Sequence, residues 1–493
     1  MPTFRCHSPE MGGRRGLYGI VLFFAAVLLR VQDGHALNQT CDADDLAALR
    51  AFYDGLDGKG GGASKASSPH HSPPSTTSPR STSPGTRSTA RHCRDSPRSR
   101  GCGCSISAPT RSPAFPSSGG GGIFFPAIEV LNVSFNEFAG PHPTFPGATN
   151  LTVLDFSGNA LSGSINATAL CGAAPLSVLR LSGNAFSGEI PAGFGRCEVL
   201  AELCLDANGL TGSLPGDLFE MPGLQTLSLQ ENSLSGGIDN LGNLSQLVHI
   251  DLSYNRFTGF IPDIFGGLRR LESLNLASNG FDGTLPGSLS SCPTLRMLVL
   301  RNNSLSGEIA LDFGLLPRLN NFDAGTNKLS GAIPAGLAWC AELRKLNLAR
   351  NKLEGEIPES FKNLTSLLYL SLTGNGFTNL SSAMQVLQHL PKLTSLVLTK
   401  NFHGGHIPDE LSNMSSLEVL NFAHNNLTGS IPSSLSKLNF LSRFDVSYNS
   451  LIGDIPTGGQ FSTFSNEGFV GNAALCLLGN APLCKCSICR NRK

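Results

Sequence analysis

Leucines recur along most of this chain at two spacings at once. Within a short segment they alternate with polar residues; between segments they return about every 24 residues. Leu247-Val-His-Ile-Asp-Leu-Ser-Tyr-Asn255 and Leu271-Glu-Ser-Leu-Asn-Leu-Ala-Ser-Asn279 show the pattern, as do Leu343-Arg-Lys-Leu-Asn-Leu-Ala-Arg-Asn351 and Leu441-Ser-Arg-Phe-Asp-Val-Ser-Tyr-Asn449. The template is L-x-x-L-x-L-x-x-N. It occurs fourteen times, with asparagines at 136, 159, 184, 208, 232, 255, 279, 303, 327, 351, 375, 401, 425 and 449. Gaps of 23 to 26 hold phase over more than 300 residues, which chance does not do.

The L-x-L core has period two, so it predicts a short strand with leucines inward and the x residues outward. One repeat cannot bury its own apolar face. Stacked repeats bury one another's leucines in a continuous column, each worth roughly 1.5–3 kcal/mol. The asparagine stands where the chain leaves the strand. Its amide both donates and accepts, so a ladder of asparagines can satisfy turning backbone inside the stack. Nine repeats close on G-x-I/L-P, as in Thr258-Gly-Phe-Ile-Pro262 and Thr428-Gly-Ser-Ile-Pro432. There glycine allows a turn and proline ends strand pairing.

This pattern resembles the plant-type extracellular leucine-rich repeat, LxxLxLxxNxLxGxIP, over roughly residues 125–460. The resemblance implies an α/β repeat solenoid of about 14 repeats, with a parallel sheet on a concave side and irregular or 3₁₀ turns on the convex side. Residues 37–57 look like the start of that family's N-terminal cap, with a helix expected from Ala43 to about Phe52. Residues 461–493, from the Gln460-Phe-Ser-Thr-Phe464 stretch onward, look like its C-terminal cap and tail. Between them, residues 58–124 are rich in Ser, Pro, Arg and Gly and too poor in apolar residues to offset ordering entropy, so they are expected to be disordered. The family cap carries a tryptophan here, whereas this chain has Cys93, Cys102 and Cys104 and places its single tryptophan at Trp339.

Composition places the chain outside the cell. Arg14 and Arg15 precede an apolar run from Leu17 to Leu29, and Gly34-His35-Ala36 offers small residues for cleavage, so residues 1–36 read as a secretory signal. Ten Asn-x-Ser/Thr sequons fit that route: Asn38, Asn132, Asn150, Asn166, Asn243, Asn302, Asn363, Asn379, Asn413 and Asn426. All but Asn132 and Asn302 are expected to be glycosylated. The mature chain is expected to be secreted and unanchored. With 36 basic and 36 acidic residues, no net charge draws it to nucleic acid. Among the 14 cysteines, Cys41, Cys476 and Cys484 lie outside the regular repeats, where disulfides staple solenoid ends; Cys476 and Cys484 are the expected pair. Cys171, Cys197, Cys292 and Cys340 read as small buried filler. The Cys484, Cys486, Cys489 cluster lacks a second ligand pair, so no metal is expected.

No enzyme motif is present: no V-A-I-K, H-R-D or D-F-G, no G-x-S-x-G, no H-E-x-x-H, and no cofactor is expected. Asp251, Asp323 and Asp445 come one per repeat and read as exposed carboxylates suited to ligand contact or solvation rather than paired acid/base work. Function is therefore expected on the outward strand positions, a preorganised recognition surface. Reading across strands gives Arg301 and Asn302, Asp323, Asn347 with Arg350, Ser371 with Thr373, and Thr399 with Lys400. That strip is polar and locally basic, and an arginine fork matches sulfate, phosphate or carboxylate.

Leu298-Val-Leu-Arg-Asn-Asn-Ser-Leu-Ser-Gly307, Pro358-Glu-Ser-Phe-Lys-Asn363 and Leu396-Val-Leu-Thr-Lys-Asn-Phe-His-Gly404 are similar to the ectodomain of phytosulfokine receptors, plant receptor kinases that bind a tyrosine-sulfated pentapeptide. The resemblance implies that Arg301, Asn347, Ser371, Thr373 and Thr399 match ligand-contacting positions, the first two as polar anchors and the others as partners of the peptide backbone. It also implies a coreceptor kinase as partner. In that family a non-repeat island follows Asn-Phe-His-Gly; here Gly405-His-Ile-Pro408 runs straight into the next repeat. The expected function is an extracellular peptide-binding module, in hormone perception or as a decoy. The alternative is a secreted inhibitor of pathogen wall-degrading enzymes, of the polygalacturonase-inhibitor type.

Overall fold

The computed structural model describes residues 102–105, 127–172 and 174–476. The expected signal segment, the N-terminal cap helix, Asn38 and Cys484 lie outside them. The fold divides into two compact units, one ending at Phe186 and one beginning at Ser187.

In the first unit, strands Ile128–Asn132, Val153–Asp155 and Val178–Arg180 pair in parallel, with Leu131, Leu154 and Leu179 in one register. Cys102–Ser105 adds a further parallel strand beside Ile128–Asn132. Those four residues fall in the stretch expected to be without structure. Gly103-Cys-Ser105 has no leucine pattern to announce it, but an open sheet edge offers unpaired backbone groups to any extended segment. A short helix, Ala167–Cys171, begins at Asn166, whose side chain accepts from the Ala169 N–H.

The second unit is a leucine-rich-repeat solenoid. Its long sheet runs from Glu202–Cys204 to Arg443–Asp445 in three-residue strands, all parallel. Register is set by the inward residue: Leu274, Leu298, Phe322, Leu346 and Leu370 pair in succession, each with no exposed surface. A one-residue slip would turn this column to solvent, so the hydrophobic pattern fixes the pairing.

Opposite the sheet the chain turns through 3₁₀ helices of three to five residues, such as Phe265–Gly267, Gly287–Ser291 and Ala335–Trp339. The G-x-I/L-P proline does more than stop a strand. Pro286, Pro334, Pro358 and Pro432 each stand at the start of a five-residue 3₁₀ helix, where a missing N–H costs nothing. The L-x-G stretch before it forms a second set of parallel strands, among them Ser233–Gly236, Arg256–Phe260 and Gly280–Asp282. The leucine template does not announce this second ladder, because its one inward residue per strand (Leu234, Phe257, Phe281) gives no alternation to read.

The asparagines form the expected ladder. Asn279 Nδ2 donates to Leu276 O at 3.2 Å in its own turn and to Leu252 O at 2.9 Å one repeat back, while its Oδ1 accepts from Phe257 N at 3.0 Å. Asn303, Asn327 and Asn351 repeat this set. Asn472 joins it, donating to Val446 O and Phe469 O and accepting from Leu451 N, in a Phe-x-x-Asn sequence that the leucine template passes over. Asn401 departs from it. Its repeat holds 26 residues and a true α-helix, Leu380–Leu387, instead of a 3₁₀ turn. The extra length displaces the joint, and Asn401 Nδ2 donates to Thr399 O in its own repeat. The far end of the unit is closed by phenylalanines: Phe444 packs against Phe461, Phe464 and Phe469 with centroids 5.1 to 6.0 Å away.

Candidate functional site

One face of the long sheet is covered by the repeat turns and the other is open. On the open face the outward residues of successive strands fall into rows. The middle row reads Asp323, Asn347, Ser371, Val397, Asn421, Asp445 in unbroken register. Two positions on in each repeat lie Arg301, Thr373 and Thr399. The five expected contact residues therefore do share one face.

They differ in what they offer. Arg301 is exposed, and its Nη2 donates to the phenol oxygen of Tyr254 at 2.9 Å, two repeats back. Asn347 is half-buried; its Nδ2 donates to Asp323 Oδ1 at 2.8 Å and its Oδ1 accepts from Ala349 N at 3.2 Å. Thr399 Oγ1 donates to Asn421 Oδ1 at 2.9 Å. Ser371 is buried, and Thr373 Oγ1 is enclosed without a hydrogen-bond partner. Arg301 thus presents its polar group to solvent, whereas the other four are committed to, or enclosed by, neighbouring strands.

The aspartates correct the sequence reading. Asp323 is 3% exposed. Asp251 and Asp445 are half-buried, each accepting from the hydroxyl of the serine two residues on, at 2.6 and 2.7 Å. A neighbouring-strand asparagine donates to each carboxylate: Asn275 to Asp251, Asn347 to Asp323, Asn421 to Asp445. Burial pushes the Asp251 carboxyl up, against the pull of the Ser253 and Asn275 hydrogen bonds. These carboxylates tie strands together. The Asp-x-Ser spacing carries that signal, since Asx side chains favour donors two residues on.

Sequence reasoning also passed over the aromatics. Lys345 Nζ lies 5.8 Å from the centroid of the Tyr369 ring, and the rings of His424 and Tyr448 stack at 4.4 Å and 8°. Both pairs occupy equivalent outward positions in adjacent repeats, which is the pattern that finds them. A cavity of about 410 Å³ beside Leu380–Leu387 lies on the turn side, lined by Glu356, Lys362, Gln385 and His389 among others. Asn379 and Ser382 already occupy the Glu356 carboxylate at 3.0 Å.

Two cysteine expectations separate. Cys292 and Cys340 are buried free thiols, pushed up to about 11 and about 12 by burial. Cys171 and Cys197, expected as filler, are disulfide-bonded, as is Cys204. Cys197 stands three residues before a strand leucine, as Cys292 and Cys340 do, so spacing alone does not separate bridge from free thiol. Cys476 ends the strand Ala474–Cys476. Of the sequons, Asn150, Asn166, Asn243, Asn363, Asn379, Asn413 and Asn426 are exposed; Asn302 is exposed beside Arg301, and Asn132 is half-buried in its strand. No helix among the described residues is long and apolar enough to cross a membrane.

Leucine rich repeat models match residues 198–257, 237–281 and 341–402, and again 175–197 and 416–438. Phytosulfokine receptor 1 of Arabidopsis thaliana is 50% identical over 70 residues, 14% of this chain and 7% of that protein. Among solved structures, the plant peptide hormone receptor RGFR1 in complex with RGF2 superposes with a TM-score of 0.68 at 33% identity, over 72% of this chain and 56% of that one. The Arabidopsis receptor kinase HAESA, in complex with the peptide hormone IDA and the co-receptor SERK1, gives 0.58 at 30% identity, over 75% and 69%. The chain belongs to the plant leucine-rich-repeat receptor-like proteins. It spans just over half the length of the RGFR1 chain and a small part of phytosulfokine receptor 1. In those two structures RGFR1 is in complex with RGF2 and HAESA with the peptide hormone IDA.

Proposed function

We propose that this chain is the extracellular, non-catalytic ligand-binding part of a plant receptor-like protein, and that its ligand is an extended extracellular peptide lying across the open rows of the long sheet. The observation carrying this is the contrast within each repeat. Inward positions are buried leucine, isoleucine or phenylalanine, while outward positions in the same strands change chemistry at every step, from Lys345 to Tyr369 to Ser395. A scaffold that repeats inside and varies outside is built to present a pattern.

Within that class, a tyrosine-sulfated peptide is the ligand favoured by the 50% identical stretch shared with phytosulfokine receptor 1 and by the exposed Arg301 guanidinium. A co-receptor kinase is the partner, by analogy with HAESA, whose structure contains one. In this role the chain perceives ligand together with that partner or withholds it as a decoy. Calorimetric titration of the secreted protein with sulfated and unsulfated phytosulfokine tests this. Binding that depends on the sulfate is expected. No heat from either peptide, together with inhibition of a polygalacturonase, would replace this reading with the inhibitor one.

A further inference from the structure

The rim of the open face is set by the residue just before each ladder asparagine. These residues sit in the left-handed region: Thr326, Arg350, Lys400 and His424 at φ 56 to 58, and Gly374 at φ 68. From Asn302 to Tyr448 this rim carries no carboxylate. The row beside it, which includes Ala349, Thr373, Thr399 and Ala423, carries none either. The floor next to the rim is therefore low, uncharged and flanked by cations.

Gly374 interrupts the rim between its two strongest cations. A Cβ built there would have atoms of Arg350 as its three nearest neighbours, Cγ at 3.6 Å among them. The arginine's stem thus borders the gap on one side, and Lys400 follows in the next repeat. Strands about 4.8 Å apart place the Arg350 and Lys400 backbones roughly 10 Å from one another. Both side chains are exposed, and neither enters an ion pair among the described residues. Two cationic residues that flank one missing side chain repel each other, and an anion between them reverses the sign of that interaction. Charge-assisted hydrogen bonds from a guanidinium and an ammonium would then hold it from two sides.

We propose that the Gly374 notch, between Arg350 and Lys400, is an anion subsite that takes a sulfate or carboxylate group. The peptide as carrier of that group rests on the function proposed above; the anion site itself does not. Inorganic sulfate is the first probe. Its stabilisation of the full secreted chain, over sodium chloride at equal ionic strength, is measured by thermal unfolding. The double variant Arg350→Gln/Lys400→Gln is expected to lose the excess shift. Gly374→Asn, which tolerates the left-handed backbone and fills the gap while keeping both cations, is expected to lose it too. An equal shift in wild type and both variants overturns the proposal.

The second arm uses sulfated phytosulfokine, its unsulfated form and its C-terminal amide. The double variant should bind the form that retains the recognised anion about tenfold or more weakly. The sulfate-free peptide shows whether the tyrosine sulfate is that anion, and the amide whether the terminal carboxylate is. Peptide binding unchanged in the double variant removes the notch from the peptide site and leaves the peptide reading intact. A sulfate effect that vanishes in the variants without any peptide binding keeps the notch and removes the peptide reading.

Discussion

The amide of Asn347 donates to Oδ1 of Asp323 at 2.8 Å, across adjacent strands, and the carboxylate that receives it is almost fully buried. Asp323 also accepts from Gly325 N at 3.2 Å and faces Lys345 Nζ at 3.9 Å. A residue matched to a ligand-anchoring position is thus part of the scaffold. Truncating Asp323→Ala strands two donors and is expected to cost about 1–3 kcal/mol. The double mutant with Asn347→Ala should cost clearly less than the sum of the single ones. Urea unfolding of the four proteins measures the coupling, and strict additivity would show that the pair does not stabilise the sheet.

A sharper test of the ladder is an isosteric change. Asn425 is 1% exposed, and its Nδ2 donates to Leu398 O and Phe422 O at 2.9 Å. Asn425→Asp keeps the shape, removes both donors and turns an acceptor toward two carbonyls. A loss of about 2 kcal/mol or more is expected. The same change at exposed Asn439, which lies in no sequon, should leave the unfolding midpoint within experimental error.

How much of this was readable in advance depends on how local the cause is. The leucine column and the ladder follow from side chains that repeat, so Leu298 or Asn303 could be placed from spacing alone. Asp251 and Asp445 could have been placed as well, since Asp-x-Ser contains its own hydrogen bond. Other features were not local. Asp323 has no serine two residues on, and its burial comes from Asn347 and Lys345 in the next strand. Cys197 and Cys340 stand in equivalent positions, three residues before a strand leucine, yet one is bridged and the other free. The second ladder of strands is backbone pairing, which no side-chain pattern reports.

Acid should weaken the first unit through His142. This imidazole is buried, with Nδ1 3.0 Å from Pro143 O and Nε2 accepting from Asn166 N at 2.9 Å. Nε2 can accept only in the neutral ring, whose proton then sits on Nδ1 and is donated to Pro143 O. Burial lowers its pKa from the ordinary 6.5, outweighing the Pro143 hydrogen bond. The unfolded chain therefore takes up the proton first. The stability contribution is complete above about pH 6.5 and is lost as pH falls through the lower folded value. Melting temperature measured from pH 7.5 to 5 should fall more steeply for wild type than for His142→Gln; parallel curves would exclude His142 as the cause.

Cys292 and Cys340 should resist thiol reagents while the fold is intact. Burial pushes their thiols up to about 11 and about 12, so at pH 8 almost no thiolate is present or reachable. Iodoacetamide labelling followed by peptide mass mapping should leave both unmodified in native protein and label both in urea. Rapid native labelling at either position would mean that its repeat opens locally.

Arg301 is where stability and recognition separate. Its side chain is exposed, and its hydrogen bond to Tyr254 is a surface contact, so Arg301→Ala should change the unfolding free energy by less than about 0.5 kcal/mol. If Arg301 meets an anionic group of the ligand, the same change should weaken sulfated-peptide binding about tenfold or more, because a charge-assisted contact is lost on a rigid surface. Tyr254→Phe removes only the acceptor that holds the guanidinium at 2.9 Å, so a smaller loss in the same direction is expected. Calorimetry on the three proteins decides the point. Equal dissociation constants would remove Arg301 from the ligand face, whereas a loss for Arg301→Ala with none for Tyr254→Phe would keep the arginine and discard the idea that the tyrosine positions it.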